Sequence, residues 1–459
     1  MEIEYVTHAS LLLSTSQTKL LVDPFFFPED DPILAPSVRN FPPRAIDPPS
    51  WGPLDYVFSS HEHHDHCHPQ TLARLRDQVR TVLLPAERPA LAARYLDLGF
   101  RDVRYLENRR PVALSGDLEV TCIWDDPVDS MLLIRMGGKT ILHANDCLAD
   151  AGTYAAIARG GAVDYAFICS TSIQQLYPLL LPLGERELDA LAAAREDEFF
   201  EGQLARIDAL GARVVVPYSY TASYLAPGQV HLNGIGRITP TTFRDRLRVR
   251  RPRVDCWSLQ PGDVIDAGAN RVRRVRDRDL WGRDLAEFRA NLAEHACAAA
   301  RELPPFDAGD PETCADAVRR HLETRVAEGV PHDGFYAFLD RAVVLHLAGN
   351  RATRSFRVDL ARRSVGEAAG PALLEITVPA SLMQSMLAGE YDPFMILYTY
   401  RITFRAQPAL AARLSPGQQF IVYLGAFLTL FVDPASPLLE ECAKLESYLG
   451  PRSNVTVPA

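Results

Sequence analysis

The sequence predicts an α/β protein: a two-sheet αββα sandwich, then a helical bridge, then a smaller α+β domain. Three observations carry that expectation. Up to about residue 245, short apolar β-type runs alternate with turns and a few helical segments, the pattern of a layered sandwich. From Arg248 the texture changes to Ala-, Arg- and Glu-rich helix. From Phe335 strand-like and helical runs return over a shorter span. The 459 residues suffice for about two to four domains at roughly 100–200 residues each. The expected domains are 1–265, a bridge over 266–334, and 335–459.

In chain order, Ser10–Ser14 and Lys19–Phe25 read as a hairpin stopped at Asp23-Pro24. Asp55–Ser60 is a buried strand running straight into a histidine cluster, and Pro69–Val79 has helical spacing with Pro at its start. Thr81–Leu84, Val103–Leu106, Leu118–Trp124, Ser130–Met136 and Thr140–Leu142 are further strands. Tyr165–Cys169 and Arg213–Tyr218 flank a helix over Glu196–Leu210. Asp279–Leu303 and Pro311–Gly329 are helical, joined by the linker PPFDAGDP. Phe356–Ala361, Leu373–Val378 and Ile396–Phe404 read as strands and Pro379–Leu387 as a helix. Phe420–Val432 is too short to span a membrane and reads as a core strand or helix.

With 47% hydrophobic and 23% charged residues, the chain is neither disordered nor collagen-like. Its net charge of −10 argues against broad electrostatic binding of nucleic acid. Eight cysteines are scattered with no CxxC pair, and the acidic start shows no basic leader region. A reduced, cytoplasmic protein without a membrane span is the expectation.

Five of the 12 histidines lie between His61 and His68, in the run His-Glu-His-His-Asp-His-Cys-His. Such a run has no apolar face at helical or strand spacing, so it belongs to a loop at a sheet end. Within it, His61, His63, Asp65 and His66 form HxHxDH, a set of imidazoles and a carboxylate suited to Zn, Fe, Mn or Co. A solvated histidine-rich loop is the bland alternative.

THASLLL, LLVDPFF, SSHEHHDH and TILHAND, in that order over residues 1–245, resemble the metallo-β-lactamase superfamily. The resemblance implies that sandwich fold and two divalent ions. His61 and His63 would bind the first, Asp65 and His66 the second, and Asp146 would bridge them. His143 reads as a packed histidine outside the ligand set. Two departures from the family pattern bear on the reaction. No histidine occurs from 69 to 142, where the family supplies another ligand; IWDDPVDSMLLI offers Asp129 first, then Asp126, then Asp125. The family's last histidine, expected near 219, is replaced by Ser219 and Tyr220. His231, with Tyr218, Tyr220 and Tyr224 nearby in sequence, is a displaced ligand or substrate contact, or else a loop histidine. Asp65, Tyr220 and His231 are the candidate catalytic residues.

Two histidines and one carboxylate on the first ion suit non-heme Fe(II) that activates oxygen. The block DPVDSMLLIRMGGKTILHANDC is similar to the CMP-N-acetylneuraminate hydroxylase branch of the superfamily, as is ITVPASLMQSMLAGEYDPFMILYTYRITF to the C-terminal part of its bacterial relatives. Diiron β-hydroxylases of antibiotic biosynthesis are a second comparison. The expected function is therefore a non-heme iron oxygenase, diiron in its favoured form, acting on a small-molecule or carrier-bound biosynthetic intermediate. Iron is the favoured metal, with Zn or Mn as alternatives. No CxH…CxxH Rieske pair occurs, so electrons would come from an external donor. The alternative is a phosphodiesterase, lactonase or amidase-type hydrolase using metal-bound hydroxide. The C-terminal domain resembles a sterol-carrier layer; it reads as a wall of the substrate site, a carrier-docking surface or a homodimer contact.

Overall fold

The computed structural model describes the chain except residues 33, 36, 87, 126–128, 171–180, 182, 219–221, 226–232, 234–237, 304, 305, 369, 371, 400, 434, 435, 437, 448 and 450–459. The chain divides into two compact units, one of residues 1–174 and 192–302, the other of 175–191 and 303–459.

The first unit opens with β1 (Glu2–Thr7), β2 (Ser10–Ser14), β3 (Lys19–Val22) and β4 (Val38–Asn40). β5 (Leu54–Phe58) leads through the histidine loop to α1 (Pro69–Leu75), and β6 (Val79–Pro85) leads to α2 (Pro89–Asp97). β7 (Val103–Leu106), β8 (Pro111–Ser115), β9 (Leu118–Ile123), β10 (Met131–Met136) and β11 (Lys139–His143) follow. Then come α3 (Ala151–Arg159), β12 (Tyr165–Cys169), α4 (Glu185–Leu210, entering this unit at Ala192), β13 (Val214–Tyr218) and β14 (Ala222–Tyr224). α5 (Pro240–Arg250), β15 (Asp255–Cys256), β16 (Val264–Asp266), β17 (Arg271–Arg273) and α6 (Leu285–Glu302) complete it.

Two large sheets result, ordered β17-β16-β1-β2-β3-β5-β6-β7 and β15-β13-β12-β11-β10-β9-β8, beside a two-stranded β14-β4 pair. Alternation along the strands explains the layering. Leu11, Leu13, Leu20, Val22, Tyr56 and Phe58 pack in one core with Leu132, Ile134, Tyr165, Phe167, Val214 and Val216 of the other sheet. The intervening Leu12, Leu21 and Val57 pack instead with Leu72, Leu75, Leu91 and Tyr95 of α1 and α2. On the far side, Leu133, Ala166 and Val215 pack with Tyr154, Ile157, Phe200, Leu204 and Phe243 of α3, α4 and α5. Strands apolar on both faces thus give the expected αββα order, each buried aliphatic side chain contributing about 1.5–3 kcal/mol.

The two sheets are also tied at one end by polar contacts. Thr15 and Thr18, in the β2–β3 turn, donate to the Asp117 carboxylate in the β8–β9 turn, with Ser115 Oγ 3.0 Å away. The Thr15 and Thr18 hydroxyls hold the Asp117 carboxyl below the usual carboxylate range. A depressed acid stabilises the fold above that range and loses its contribution as the pH falls through it. Asp117→Ala is therefore expected to lower stability by about 1 kcal/mol at neutral pH, discounted for partial exposure. Urea unfolding checks it; the gap from the parent protein should close in acid.

The stretch 266–334, expected as a bridge, is shared between the units. β17 pairs with β16, and α6 packs Phe288 and Leu292 with Trp281 and Phe41 of the first unit. α7 (Ala315–Glu328) lies in the second unit. There β18 (Ala342–Ala348), β19 (Thr353–Asp359), β20 (Ser364–Glu367), β21 (Leu374–Pro379) and β22 (Thr403–Ala406) form a sheet ordered β20-β19-β18-β21-β22. α8 (Ala380–Leu387), α9 (Pro393–Tyr398), α10 (Pro408–Ala411), α11 (Pro416–Phe431) and α12 (Leu438–Ser447) accompany it. The expected strand Ile396–Phe404 is corrected here: its first residues end α9, and strand begins only at Thr403. Asp392 caps that helix, accepting from the Met395 N–H at 2.8 Å, and Pro393 sits at its first position. Those start signals override the β-propensity of the apolar run. Phe420–Val432 resolves as helix, since Ser415 and Gln418 form a capping box ahead of it. Among the described residues no helix is long and apolar enough to cross a membrane.

Candidate metal centre

The site forms where β1, β3, β5 and β11 end. β5 delivers the loop 59–68, and α1 anchors its far end: Pro69 opens the helix and the His68 side chain accepts from the Thr71 N–H. Arg94 on α2 donates to the carbonyls of Glu62 (2.8 Å) and Cys67 (3.3 Å), pinning the loop from outside. His68 is thus a cap, and His64 lies buried beside it with ring centroids 6.3 Å apart. Neither belongs to the convergent groups described next.

Three groups bring donor atoms within 4.8 Å of one another: His61, His63 and Asp129; His61, His66 and Asp146; and His8, Asp65 and His66. His61 Nε2 lies 2.9 Å from His63 Nδ1 and 3.3 Å from Asp129 Oδ1. His66 Nε2 lies 3.3 Å from Asp146 Oδ2 and 3.7 Å from Asp65 Oδ2. Ligands held at 2.0–2.2 Å around one four-coordinate ion stand roughly 3.3–3.5 Å apart, so this donor set fits a divalent cation. Asp146 groups with one histidine from each half, the place a bridging carboxylate takes.

A buried polar frame orients these groups. Asp23 Oδ2 lies 3.2 Å from His66 Nδ1, while its carboxylate accepts the Ser60 N–H and Oγ–H at 2.8 and 2.9 Å. A carboxylate behind one ring nitrogen directs the other toward a metal. His61 Nδ1 meets Ser60 Oγ at 2.9 Å and the Asn145 amide at 3.2 Å. The Asn145 N–H donates to Tyr218 Oη at 2.9 Å. His8, Asp23 and Asn145 all adopt left-handed backbone, with φ of 50°, 44° and 53°. Strain of about 1–3 kcal/mol per residue gathered at one place marks a site over-determined by its surroundings.

Burial, with the His66 and His63 rings beside it, pushes His61 well below the usual histidine range, keeping it in the neutral form that binds metal. Burial would also lower His66, but the Asp65 and Asp146 carboxylates outweigh it and hold His66 well above that range. Against the same burial, His66 holds Asp146 low, and His66 with His8 holds Asp65 well below its usual range. The pocket therefore stabilises positive charge among its acids.

Of the two described loop aspartates, Asp129 reaches the histidines. Asp125 turns away to Arg109 at 2.6 Å and to Thr153, and Asp126 lies outside the described residues. Asp129→Ala is expected to release the ion of His61 and His63 and leave the other; metal analysis showing both retained would exclude Asp129. His143 is buried, its Nε2 2.9 Å from the Ala9 carbonyl and 3.7 Å from Asp23, and stands in none of the three groups. Tyr220, Ser219 and His231 lie outside the described residues. Sequence reasoning passed over His8, Asp23, Ser60 and Asn145. Two of them stand in motifs that carry the family resemblance, His8 in THASLLL and Asp23 in LLVDPFF.

A β-lactamase superfamily domain matches residues 2–164. The first unit has the metallo-β-lactamase fold. Curated relatives from Mycobacterium tuberculosis, named as Rieske 2Fe-2S iron–sulfur proteins, are 29% identical over 261 residues, covering 54% of this chain and 49% of theirs. A similarly named protein of Mycolicibacterium smegmatis is 26% identical over 258 residues. The chain thus spans about half the length of the curated relatives it matches. Among solved structures, Igni18, a metallo hydrolase of Ignicoccus hospitalis, aligns with TM-score 0.41 and 16% identity over 57% of this chain and 97% of that one. CmlA, a diiron β-hydroxylase from Streptomyces venezuelae, aligns with TM-score 0.38 and 19% identity over 60% of this chain and 54% of that one. An isothiocyanate hydrolase from Delia radicum gut bacteria aligns with TM-score 0.39 and 13% identity over 57% and 98%.

Proposed function

We propose that the metallo-β-lactamase unit is a non-heme iron oxygenase, with two irons, that hydroxylates or oxidises a small or carrier-bound biosynthetic intermediate. The observation that carries this reading is the convergence of His61, His63 and Asp129, two imidazoles and one carboxylate. Iron in such a set supplies activation of dioxygen. The chain's own residues do the rest. Ser60 and Asn145 hold the His61 ring from its Nδ1 side, and Asp23 aims the His66 ring from behind. Asp129 in place of an imidazole adds negative charge, which favours a higher metal oxidation state over Lewis acidity. Hydroxylation needs two electrons besides those of its substrate, so the reading includes an external donor. The relatives named as Rieske proteins support it, because a Rieske centre is a one-electron carrier. The likeness of DPVDSMLLIRMGGKTILHANDC to the CMP-N-acetylneuraminate hydroxylase branch points the same way.

The test begins with protein made without added metal. It is loaded anaerobically with Fe(II), supplied with a chemical electron donor, and exposed to oxygen. Two irons per chain, with oxygen uptake coupled to donor oxidation, is the expected result. Two tightly held zincs with phosphodiester, lactone or amide turnover, and no oxygen uptake after iron loading, would replace this reading with a hydrolase.

A further inference from the structure

The second ion has a visible shortage. Among the described residues so far assigned, Asp65, His66 and Asp146 would give it a single imidazole, and in the sequence Ser219 and Tyr220 stand where the pattern expects another histidine. The described residues nevertheless bring one more imidazole to that side of the site, from an unexpected element. We propose that His8, in the β1–β2 turn, is a ligand of the second ion and supplies its second imidazole. This rests on the reading of the site as a two-ion centre, and it holds whichever reaction the centre performs.

Three features lead to it. His8 Nε2 lies 3.1 Å from Asp65 Oδ2, which is itself 3.7 Å from His66 Nε2. These are again separations of ligands on one ion, and the three donors fall within 4.8 Å of each other. The ring is wedged edge-on against His66 and Phe25, with centroids 5.3 and 5.7 Å away, so it cannot swing out without losing both contacts. Its backbone takes φ 50° in the two-residue turn between the paired Thr7 and Ser10. That left-handed turn carries the ring to Asp65. The ion would then have His8, Asp65, His66 and Asp146, two imidazoles and two carboxylates. That matches the first ion, with His61, His63, Asp129 and the shared Asp146.

The competing role for His8 is a hydrogen-bond donor that only steadies Asp65. His8→Gln and His8→Asn separate the two. Both keep an N–H donor on a short polar side chain and replace imidazole by a weak ligand, and Asn tolerates the left-handed backbone. The experiment titrates metal-free full-length protein with Co(II), reading stoichiometry by equilibrium dialysis and ligand type by the visible d–d spectrum. Circular dichroism and thermal unfolding of the metal-free proteins establish that each variant folds. The parent protein is expected to bind two ions, and both variants one, with the spectral component of the second ion lost. Variants that still bind two ions with an unchanged spectrum overturn the ligand role of His8. A folded parent protein binding fewer than two ions overturns the two-ion reading itself, a different failure.

Discussion

Asp146→Ala is expected to empty both metal positions at once. Asp146 groups with His61 from one half of the site and His66 from the other, so a single carboxylate would serve both proposed ions. Removing it takes one ligand from each and also the charge that separates them. By contrast, Asp129→Ala strips only the first ion and the His8 variants only the second. Metal per chain should fall from two to well below one on dialysis, while the metal-free proteins unfold alike. The fold should tolerate the change, because the Asp146 side chain is 35% exposed. If Asp146→Ala retained one tightly bound ion, it would be a terminal ligand and the two ions would not share it. Metal binding should also weaken in acid, since protons compete for the same imidazoles and carboxylates.

The second large effect lies in the other unit and has nothing to do with metal. Gly425 sits within α11, whose residues 419–431 are all buried. A Cβ placed there would stand 2.4–2.6 Å from the Cε1, Cδ1 and Cζ atoms of Phe335, itself fully buried. In an exposed helix, Gly→Ala gains about 1 kcal/mol. Here the sign should reverse, since overpacking a tight core costs typically 1–3 kcal/mol and sometimes more. Gly425→Ala should lower the stability of the second unit by about 1–2 kcal/mol net, and Gly425→Val by more. The helix has little freedom to back away: Tyr336, next to Phe335, donates its hydroxyl to the Ala426 carbonyl at 2.5 Å. Urea denaturation followed by tyrosine fluorescence reads the change; an unaltered or raised midpoint for Gly425→Ala would mean that Phe335 yields freely.

Local chemistry explains which features were legible beforehand. Strands such as Leu11–Leu13 and Tyr165–Cys169 announce themselves because both faces are apolar, and a layered sandwich follows from covering both faces. The loop character of 61–68 was equally plain, since no packed element presents five imidazoles. The strand expected over Ile396–Phe404 misled because β-rich composition hid a start signal, Asp392-Pro393, that a helix uses. A boundary at 265 would part residues that pack together, since Trp281 and Phe288 reach back to Phe41 across more than two hundred residues of sequence.

The sequence by itself determined that a histidine-rich loop follows a buried strand, that the layers are αββα, and that histidine is scarce elsewhere in the first 245 residues. These properties are written in short windows, as residue type and spacing. Only the tertiary structure separates the two described loop aspartates: Arg109 draws Asp125 away, while Asp129 meets His61. It alone brought His8 to Asp65 across 57 residues and set Asp23 behind His66. Ligand geometry depends on where separate strands end in space, and no window of sequence contains that distance.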